Sequence, residues 1–209
     1  MDELKYLVFA SCLKQLLKVS PSCGHIVIEA NFKHTGSLLS VKLTCLEGHK
    51  FIWNSQPIIK STPVGNLLIS SSILFTGNTF TAVQNFASCL GLKIFREKTF
   101  HNTQEQYLFP VISEKWEDER NLIVQELKQR ENKVILSGVG RCDSLGYNAK
   151  YGTYTFMDNE TQKIVDFTVV QVTDVSLSNA MEKHGFQIGL QQLTTMKMSV
   201  GSSPLLRKV

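Results

Sequence analysis

Two pairs of cysteine and histidine residues are the first candidates for chemistry in this sequence. One residue separates Cys23 from His25, three separate Cys45 from His49, and 19 residues lie between the pairs. Tetrahedral Zn²⁺ uses such sulfur and imidazole ligands, and a small module gains stability from the bond. The single residue between Cys23 and His25 is short for a chelating turn. Cys12, on the predicted N-terminal helix, is therefore a candidate to replace a missing ligand. The plainer interpretation is buried free cysteines and surface histidines.

Carboxylates in the C-terminal half form a second candidate site. Those that converge at strand ends bind Mg²⁺ and support phosphoryl transfer. The candidates are Asp143, Asp158, Asp166, Asp174 and Glu182. Asp158 suits a hairpin turn, and the enzymatic hypothesis is a Mg²⁺-dependent nuclease or strand transferase that uses Asp143 with Asp166 or Asp174. The plainer interpretation of each aspartate is a solvated side chain.

The stretch "SGVGRCDSLGYNAKYGTYTFMD", residues 137 to 158, contains closely spaced glycines but does not fit a nucleotide-binding loop. The third glycine of a dinucleotide fingerprint falls on Asp143. Gly146 is followed by Tyr147, where a Walker loop needs Lys and then Ser or Thr. The stretch is better explained as strand, turn and strand.

The pattern of apolar residues predicts the elements that position these side chains. We expect an N-terminal helix at 1–19, a β-rich zinc-ribbon-like module at 20–64, a helical segment at 65–131, three strands and a helix at 132–193, and a frayed tail at 194–209. The strands are predicted at "HIVIEANFK", "SLLSVKLTC", "KFIWNSQP", "KVILSGVG", "KYGTYTFMD" and "KIVDFTVVQVTDV". Together they predict an α+β fold.

The helical segment contains several helix start and stop signals. Thr79 or Thr81 caps one helix, Thr99 or Asn102 caps the next, and Pro110 kinks or breaks it. Helix, glycine turn and helix is the arrangement of a DNA-binding helix-turn-helix, and any helical hairpin gives the same pattern. The candidate phosphate contacts lie at the turn and the following helix start: Lys93, Arg96, Lys98, Thr99, His101, Asn102 and Gln104.

Composition allows a nucleic-acid partner without requiring one. The 209 residues carry a net charge of +4, and 43% are hydrophobic. Neither a signal peptide nor a membrane span is expected. The five scattered cysteines suit free thiols in a reducing compartment, so we expect an intracellular protein, nuclear or cytosolic.

Longer strings in the sequence resemble a known family. "WNSQP", "PVGNLL", "TFHNTQEQYLFPVI", "GRCDSLGYNAKYGTYTFMD", "KIVDFTVVQVTDV" and "NAMEKHGF" are similar to Kolobok-like transposases of animal genomes, over about residues 8 to 190. The resemblance implies a zinc module, a helical DNA-binding segment, and an RNase H-like domain with an acidic triad that holds Mg²⁺.

The sequence departs from the family pattern at three places. Ser20 stands where the family's first zinc ligand is a cysteine, which leaves Cys23, Cys45 and His49, with His25 as a substitute. Val139 stands where the family's first catalytic carboxylate ends the first core strand. The match fades from about Gln187, so the later strands and carboxylates are expected to be missing.

These departures predict a transposase-derived protein that is catalytically inactive and retains DNA binding. Zn²⁺ is the expected cofactor through an incomplete site, and Mg²⁺ enters only in the enzymatic hypothesis. A third hypothesis is an interaction remnant that pairs with a full-length relative, or with itself, through an open strand edge. No membrane partner is expected.

Overall fold

The computed structural model describes residues 3–144, 148–175 and 177–195. The chain forms two compact units, Met1–Val111 and Ile112–Val209, and its helices and small antiparallel sheets confirm the α+β class. The predicted boundary near residue 131 falls inside the second unit, because Ile123, Val124 and Leu127 belong to the core of that unit. Gly146, Tyr147 and the tail beyond Thr195 lie outside the described residues.

The first unit contains the predicted β-module. Strands β1 (Val27–Thr35), β2 (Leu38–Cys45) and β3 (Lys50–Asn54) form an antiparallel sheet in the order β1-β2-β3. The left-handed backbone of Gly36 (φ 62°) makes the turn between β1 and β2. Asn66 on the following helix accepts hydrogen bonds from the backbone and the hydroxyl of Ser37, at 2.9 and 2.8 Å, and therefore holds this turn.

The N-terminal helix is shorter than predicted. Helix α1 spans only Ala10–Leu16 and buries no side chain, so a helix forms here but the predicted bounds of 1–19 were too wide. Val19 instead forms an antiparallel bridge with Ile26, and the Ser20 backbone N–H donates to the His25 carbonyl at 2.8 Å. Because this bridge needs extended backbone at Val19, the helix must end before it.

The rest of the first unit is a short hairpin followed by helices. Strands β4 (Ile58–Ile59) and β5 (Thr62–Pro63) pair, and then α2 (Val64–Phe75), α3 (Phe80–Leu90) and α4 (Glu97–Thr103) follow. Thr79 caps α3, since its hydroxyl accepts from the Ala82 backbone at 3.2 Å. Gly91 ends α3 in the left-handed conformation (φ 71°), as C-terminal glycines often do.

The start of α4 and the path through Pro110 differ from prediction. Neither Thr99 nor Asn102 caps α4, which begins at Glu97 with Arg96 at the N-cap. A π-helical segment at Gln104–Leu108 leads directly into α5 (Phe109–Gln129), so the helix does not break at Pro110. Wider π turns relieve the clash of a proline ring with the carbonyl four residues before it.

The second unit is an antiparallel meander covered by helices. Strands β6 (Leu136–Cys142), β7 (Tyr151–Asp158) and β8 (Ile164–Gln171) pair in the order β6-β7-β8, and α6 (Ala180–Thr195) packs on this sheet. The core contains Ile123, Val124, Leu127, Val134, Tyr154, Phe156, Val165 and Leu193. An added Cβ at Gly185 would lie 3.0 Å from the Tyr154 Cβ, so this glycine lets α6 approach the sheet closely.

A buried ion pair closes the β7–β8 hairpin. Asp158 has no exposed surface, and its two carboxylate oxygens each accept from Arg130 at 3.1 Å. The Thr161 backbone and hydroxyl donate to the same carboxylate at 2.9 and 2.7 Å. Burial raises the pKa of Asp158, but these hydrogen bonds and the charge of Arg130 outweigh it and lower the pKa to about 2.

We predict that Asp158→Asn lowers the free energy of unfolding by about 3 kcal/mol, because removing one member of a buried pair leaves the other poorly compensated. Urea unfolding at neutral pH measures the change. Glu160→Gln is the matched control, since Glu160 also contacts Arg130, at 3.0 Å, but is mostly exposed. We expect a change below about 0.5 kcal/mol for this control.

The pH dependence follows from the lowered pKa of Asp158. A carboxylate with a lowered folded-state pKa stabilises the fold above its unfolded pKa of about 3.9, and this stability is lost as the pH falls toward about 2. The difference between wild type and Asp158→Asn should therefore shrink between about pH 4 and pH 2. Equal urea midpoints at neutral pH would contradict this account.

Candidate functional site

Three predicted metal ligands converge at one end of the first sheet. The Cys23 Sγ, the Cys45 Sγ and a ring nitrogen of His49 all lie within 4.8 Å of one another. The two sulfur atoms are 3.5 Å apart. Cys45 is buried, Cys23 is half-buried and His49 is exposed, so the group opens to solvent on its histidine side.

Two tight turns bring these donors together. Cys45 is the last residue of β2, and its backbone N–H donates to the His49 carbonyl at 3.1 Å across a turn made by left-handed Gly48 (φ 77°). Cys23 lies in the turn closed by the Val19–Ile26 bridge, where Gly24 is left-handed (φ 74°). Both turns need a positive φ, which glycine adopts without strain.

The surroundings of Cys23 favour its thiolate. A hydrogen bond from the Ser20 hydroxyl, then the His25 backbone and the imidazoles of His49 and His25, lower the pKa of Cys23 to about 5. Thiolates, rather than thiols, are the metal-binding form of cysteine. The site therefore has at least one sulfur ligand ready at neutral pH.

The distances fit a bound metal ion. Two sulfurs bonded tetrahedrally at about 2.3 Å to Zn²⁺ would lie about 3.8 Å apart, close to the 3.5 Å between Cys23 and Cys45. The Cys23, Cys45 and His49 cluster could thus hold a metal ion. His25 does not belong to the group in which every donor pair lies within 4.8 Å, and its Nε2 lies 3.9 Å from Glu47.

The structure does not bring the candidate catalytic aspartates together. The Asp143 backbone N–H donates to the carbonyl of Tyr151, which pairs with Gln171 on β8, so Asp143 lies level with Gln171. Asp166 lies on β8 five residues before Gln171. At about 3.3 Å per residue the two are about 16 Å apart along the strand. Asp166 also pairs with Arg120 at 2.9 Å, which satisfies its charge within the fold.

Asp174 lies nearer to Asp143 than Asp166 does, but both of these carboxylates are engaged by backbone groups. It follows β8, while Asp143 follows β6, and β7 lies between them, so two strand spacings of about 4.8 Å separate them. Each carboxylate accepts a backbone N–H at 3.0 Å, from Gln171 and Lys150 respectively. Across residues 3–144, 148–175 and 177–195, the cysteine and histidine cluster is the group of at least three potential metal ligands that the structure forms.

Val139 lies in the middle of β6 rather than at its end, so this detail of the prediction was wrong. It pairs with Thr155, and the strand continues to Cys142. Added Cβ atoms on the neighbouring Gly138 and Gly140 would meet Tyr154 and Glu182, whereas Val139 is 62% exposed. Its side chain therefore lies on the sheet face opposite α6.

The candidate phosphate contacts lie in and after the loop between α3 and α4. This loop, residues 91–96, is longer than the turn of a standard helix-turn-helix. Lys93, Arg96, Lys98, Thr99, His101 and Asn102 are exposed, and Gln104 is half-buried. Helix α4 begins at Glu97, and only the backbone N–H groups of its first turn are free to bind an anion. Three of the candidates lie beyond that turn: His101, Asn102 and Gln104.

The family resemblance singled out Ser20 as the position of a lost ligand, but it did not predict the hydrogen bond from Ser20 to Cys23. Ser20 is 5% exposed, and the hydrogen bond from its hydroxyl lowers the pKa of Cys23 more than any other group does. The spacing of Ser20 and Cys23, which have two residues between them, one of them a proline, was the available signal. The Arg120–Asp166 and Arg130–Asp158 pairs had no such signal, because their members lie far apart in sequence.

The comparisons with known proteins give no relatives: no family model, curated protein or solved structure matches this chain. Within the part of the chain that the structure describes, no helix is both long and apolar enough to cross a membrane.

The geometry predicts that His49 and His25 differ in metal binding. His49→Ala should weaken Co²⁺ binding at least tenfold, since it removes one of three converging donors. His25→Ala is the matched control and should keep the affinity within a few-fold. Titration of Co²⁺, followed by its thiolate absorption bands, measures both variants; equal losses would contradict the placement of His25 outside the site.

Proposed function

We propose that this protein is a catalytically inactive, transposase-derived DNA-binding protein whose β-module is held by Zn²⁺. The proposal joins the family resemblance to three features of the chain: a site for a metal ion, carboxylates that do not converge, and an exposed basic segment. DNA binding is its functional core. The main observation in support of DNA binding is that two buried aromatic rings anchor the basic segment, residues 93–99, while its cationic side chains stay exposed to solvent.

Phe95 and Phe100 anchor the basic segment in the core of the first unit. Their rings pack on Phe80, with centroids 5.9 and 5.3 Å away. Both are buried, whereas the residues between and before them, Arg96 to Thr99 and Lys93, are exposed. A rigid support with outward cations costs little ordering entropy when it binds phosphates.

The charges of this segment are available to a polyanion. Among the described residues, Lys93, Arg96 and Lys98 make no ion pair, and the nearby Glu97 lies 3.8 Å from His101. Phosphate contacts by lysine and arginine release counterions and supply most of non-specific DNA affinity. The segment therefore suits the DNA backbone more than it suits base recognition.

Zn²⁺ is the metal that the donors favour. Two thiolates and an imidazole are borderline to soft ligands, which select Zn²⁺ over Mg²⁺ or Ca²⁺. Cys23, Cys45 and His49 would hold the ion, and it would supply a structural bond among the turns of the β-module. Closed structural zinc sites use four ligands, so this donor set is one short.

The second unit supports the proposed absence of catalytic activity. An antiparallel meander followed by a helix on one face is compatible with the opening of an RNase H-like domain. Val139 has no ligand atom, and the candidate aspartates are engaged with Arg120 and with backbone N–H groups. We therefore assign no hydrolytic or strand-transfer step to this chain.

Ser20→Cys tests both the zinc site and the resemblance. If position 20 is where the family carries its first ligand, the new thiolate completes a four-ligand site and tightens Zn²⁺ at least tenfold. Competition with a chromophoric chelator measures the affinity. Ser22→Cys is the matched control, because it adds a thiol in the same turn, and equal tightening by both variants would contradict the assignment.

DNA binding is tested with a salt series on a short mixed-sequence duplex. We compare wild type with a loop triple, Lys93→Gln, Arg96→Gln and Lys98→Gln, and with a control triple of exposed lysines in the second unit, Lys128→Gln, Lys133→Gln and Lys183→Gln. The loop triple should make the slope of log K against log salt shallower by about 2.7, or about 0.9 per lost contact.

The control triple has the same change of charge and should leave the slope within about 0.5 of wild type. Wild-type binding that stays flat from low to physiological salt would overturn DNA binding through phosphates. Equal effects of the two triples would overturn the assignment to the loop.

A further inference from the structure

We infer that the polar face of the β1-β2-β3 sheet is a second phosphate-contacting surface, on which Lys33, Lys42 and Lys50 engage the sugar–phosphate backbone of a nucleic acid. The inference rests on the proposed DNA binding and extends it to another part of the first unit. It follows from the strand register, from the charges on the face and from the absence of protein-like anchors among its described residues.

The register places one lysine from each strand on the same face. Val41 and Leu43 are buried on one side of β2, so Ser40, Lys42 and Thr44 lie on the other. Cross-strand partners share a face. Lys33 pairs with Ser40, and Lys50 pairs with Thr44, so both lie on the side of Lys42.

The three lysines form a diagonal across the sheet. Lys33 pairs with Ser40, two residues before Lys42 on β2. Lys50 pairs with Thr44, two residues after Lys42. Diagonal neighbours of this kind are about 7 to 8 Å apart. The sheet therefore presents an evenly spaced row of ammonium groups on long, adaptable side chains.

Among the described residues, this face carries more positive than negative charge. All three lysines are exposed, and within the described residues none makes an ion pair. The acidic side chain on the face is Glu29, whose carboxylate accepts from Asn31 at 3.0 Å. Three lysines against one glutamate leave a positive surface that a polyanion complements.

The other side chains favour a nucleic-acid backbone over an acidic protein. They are mainly uncharged hydrogen-bonding groups of the kind that contact phosphate and sugar: Asn31, Ser40, Thr44 and Asn54. Protein interfaces rely on buried aromatic or arginine anchors, and this face has neither. Ile52 is its exposed apolar side chain.

The test adds a sheet triple, Lys33→Gln, Lys42→Gln and Lys50→Gln, to the salt series with the same duplex. We expect the slope of log K against log salt to become shallower by about 2.7, as three lost contacts predict. A charge-preserving triple, Lys33→Arg, Lys42→Arg and Lys50→Arg, should keep the wild-type slope. Far-UV circular dichroism and an unchanged urea midpoint check that each variant is folded.

The outcomes separate this inference from the proposed function. A sheet triple with the wild-type slope, beside a loop triple with a shallower one, overturns the inference and leaves DNA binding in place. A shallower slope in the sheet triple alone supports the inference and overturns the loop assignment. Absence of salt-dependent binding by wild type overturns both. Lysine-dependent binding to phosphatidylserine vesicles as strong as to DNA overturns the choice of a nucleic acid.

Discussion

The register of two antiparallel three-stranded sheets decides on which side of each sheet every side chain lies. In the second unit it places Tyr154 and Phe156 in the core and leaves Val139 on the opposite face. In the first unit it buries Val41 and Leu43 and turns the lysine diagonal to solvent. Because a slip of one residue would exchange the two faces, the metal site, the basic face and the position of Val139 all depend on this pairing.

The first sheet is the part of the fold that a bound metal ion would stabilise. Strand β1 is an edge strand that is exposed along almost its whole length, and α1 buries no side chain. In the described part of the chain, the clusters of buried apolar residues do not include the central strand β2. A small sheet gains stability from a bond of this kind, and a metal ion held by Cys23, Cys45 and His49 would join the end of β2 to the turns before and after it.

Much of the secondary structure could be predicted from the sequence, since the strands alternate clearly and Gly36 and Gly91 mark real turns. Local pattern could not predict interactions between distant residues. The end of α1 depends on the Val19–Ile26 bridge, and the role of Asp158 depends on Arg130, which lies 28 residues away. The family resemblance ranked His49 above His25 as a metal ligand, and the folded turns place His49, not His25, in the group with Cys23 and Cys45.

The most direct test of the account is X-ray absorption at the zinc edge on the purified full chain. We predict one bound Zn²⁺ with two sulfur neighbours at about 2.3 Å and nitrogen or oxygen neighbours near 2.0 Å. Cys45→Ser should remove one sulfur neighbour or the metal itself. A shell of nitrogen and oxygen alone, or a chain that takes up no zinc when one equivalent is added, would contradict the central claim that Cys23, Cys45 and His49 bind a metal ion that stabilises this module.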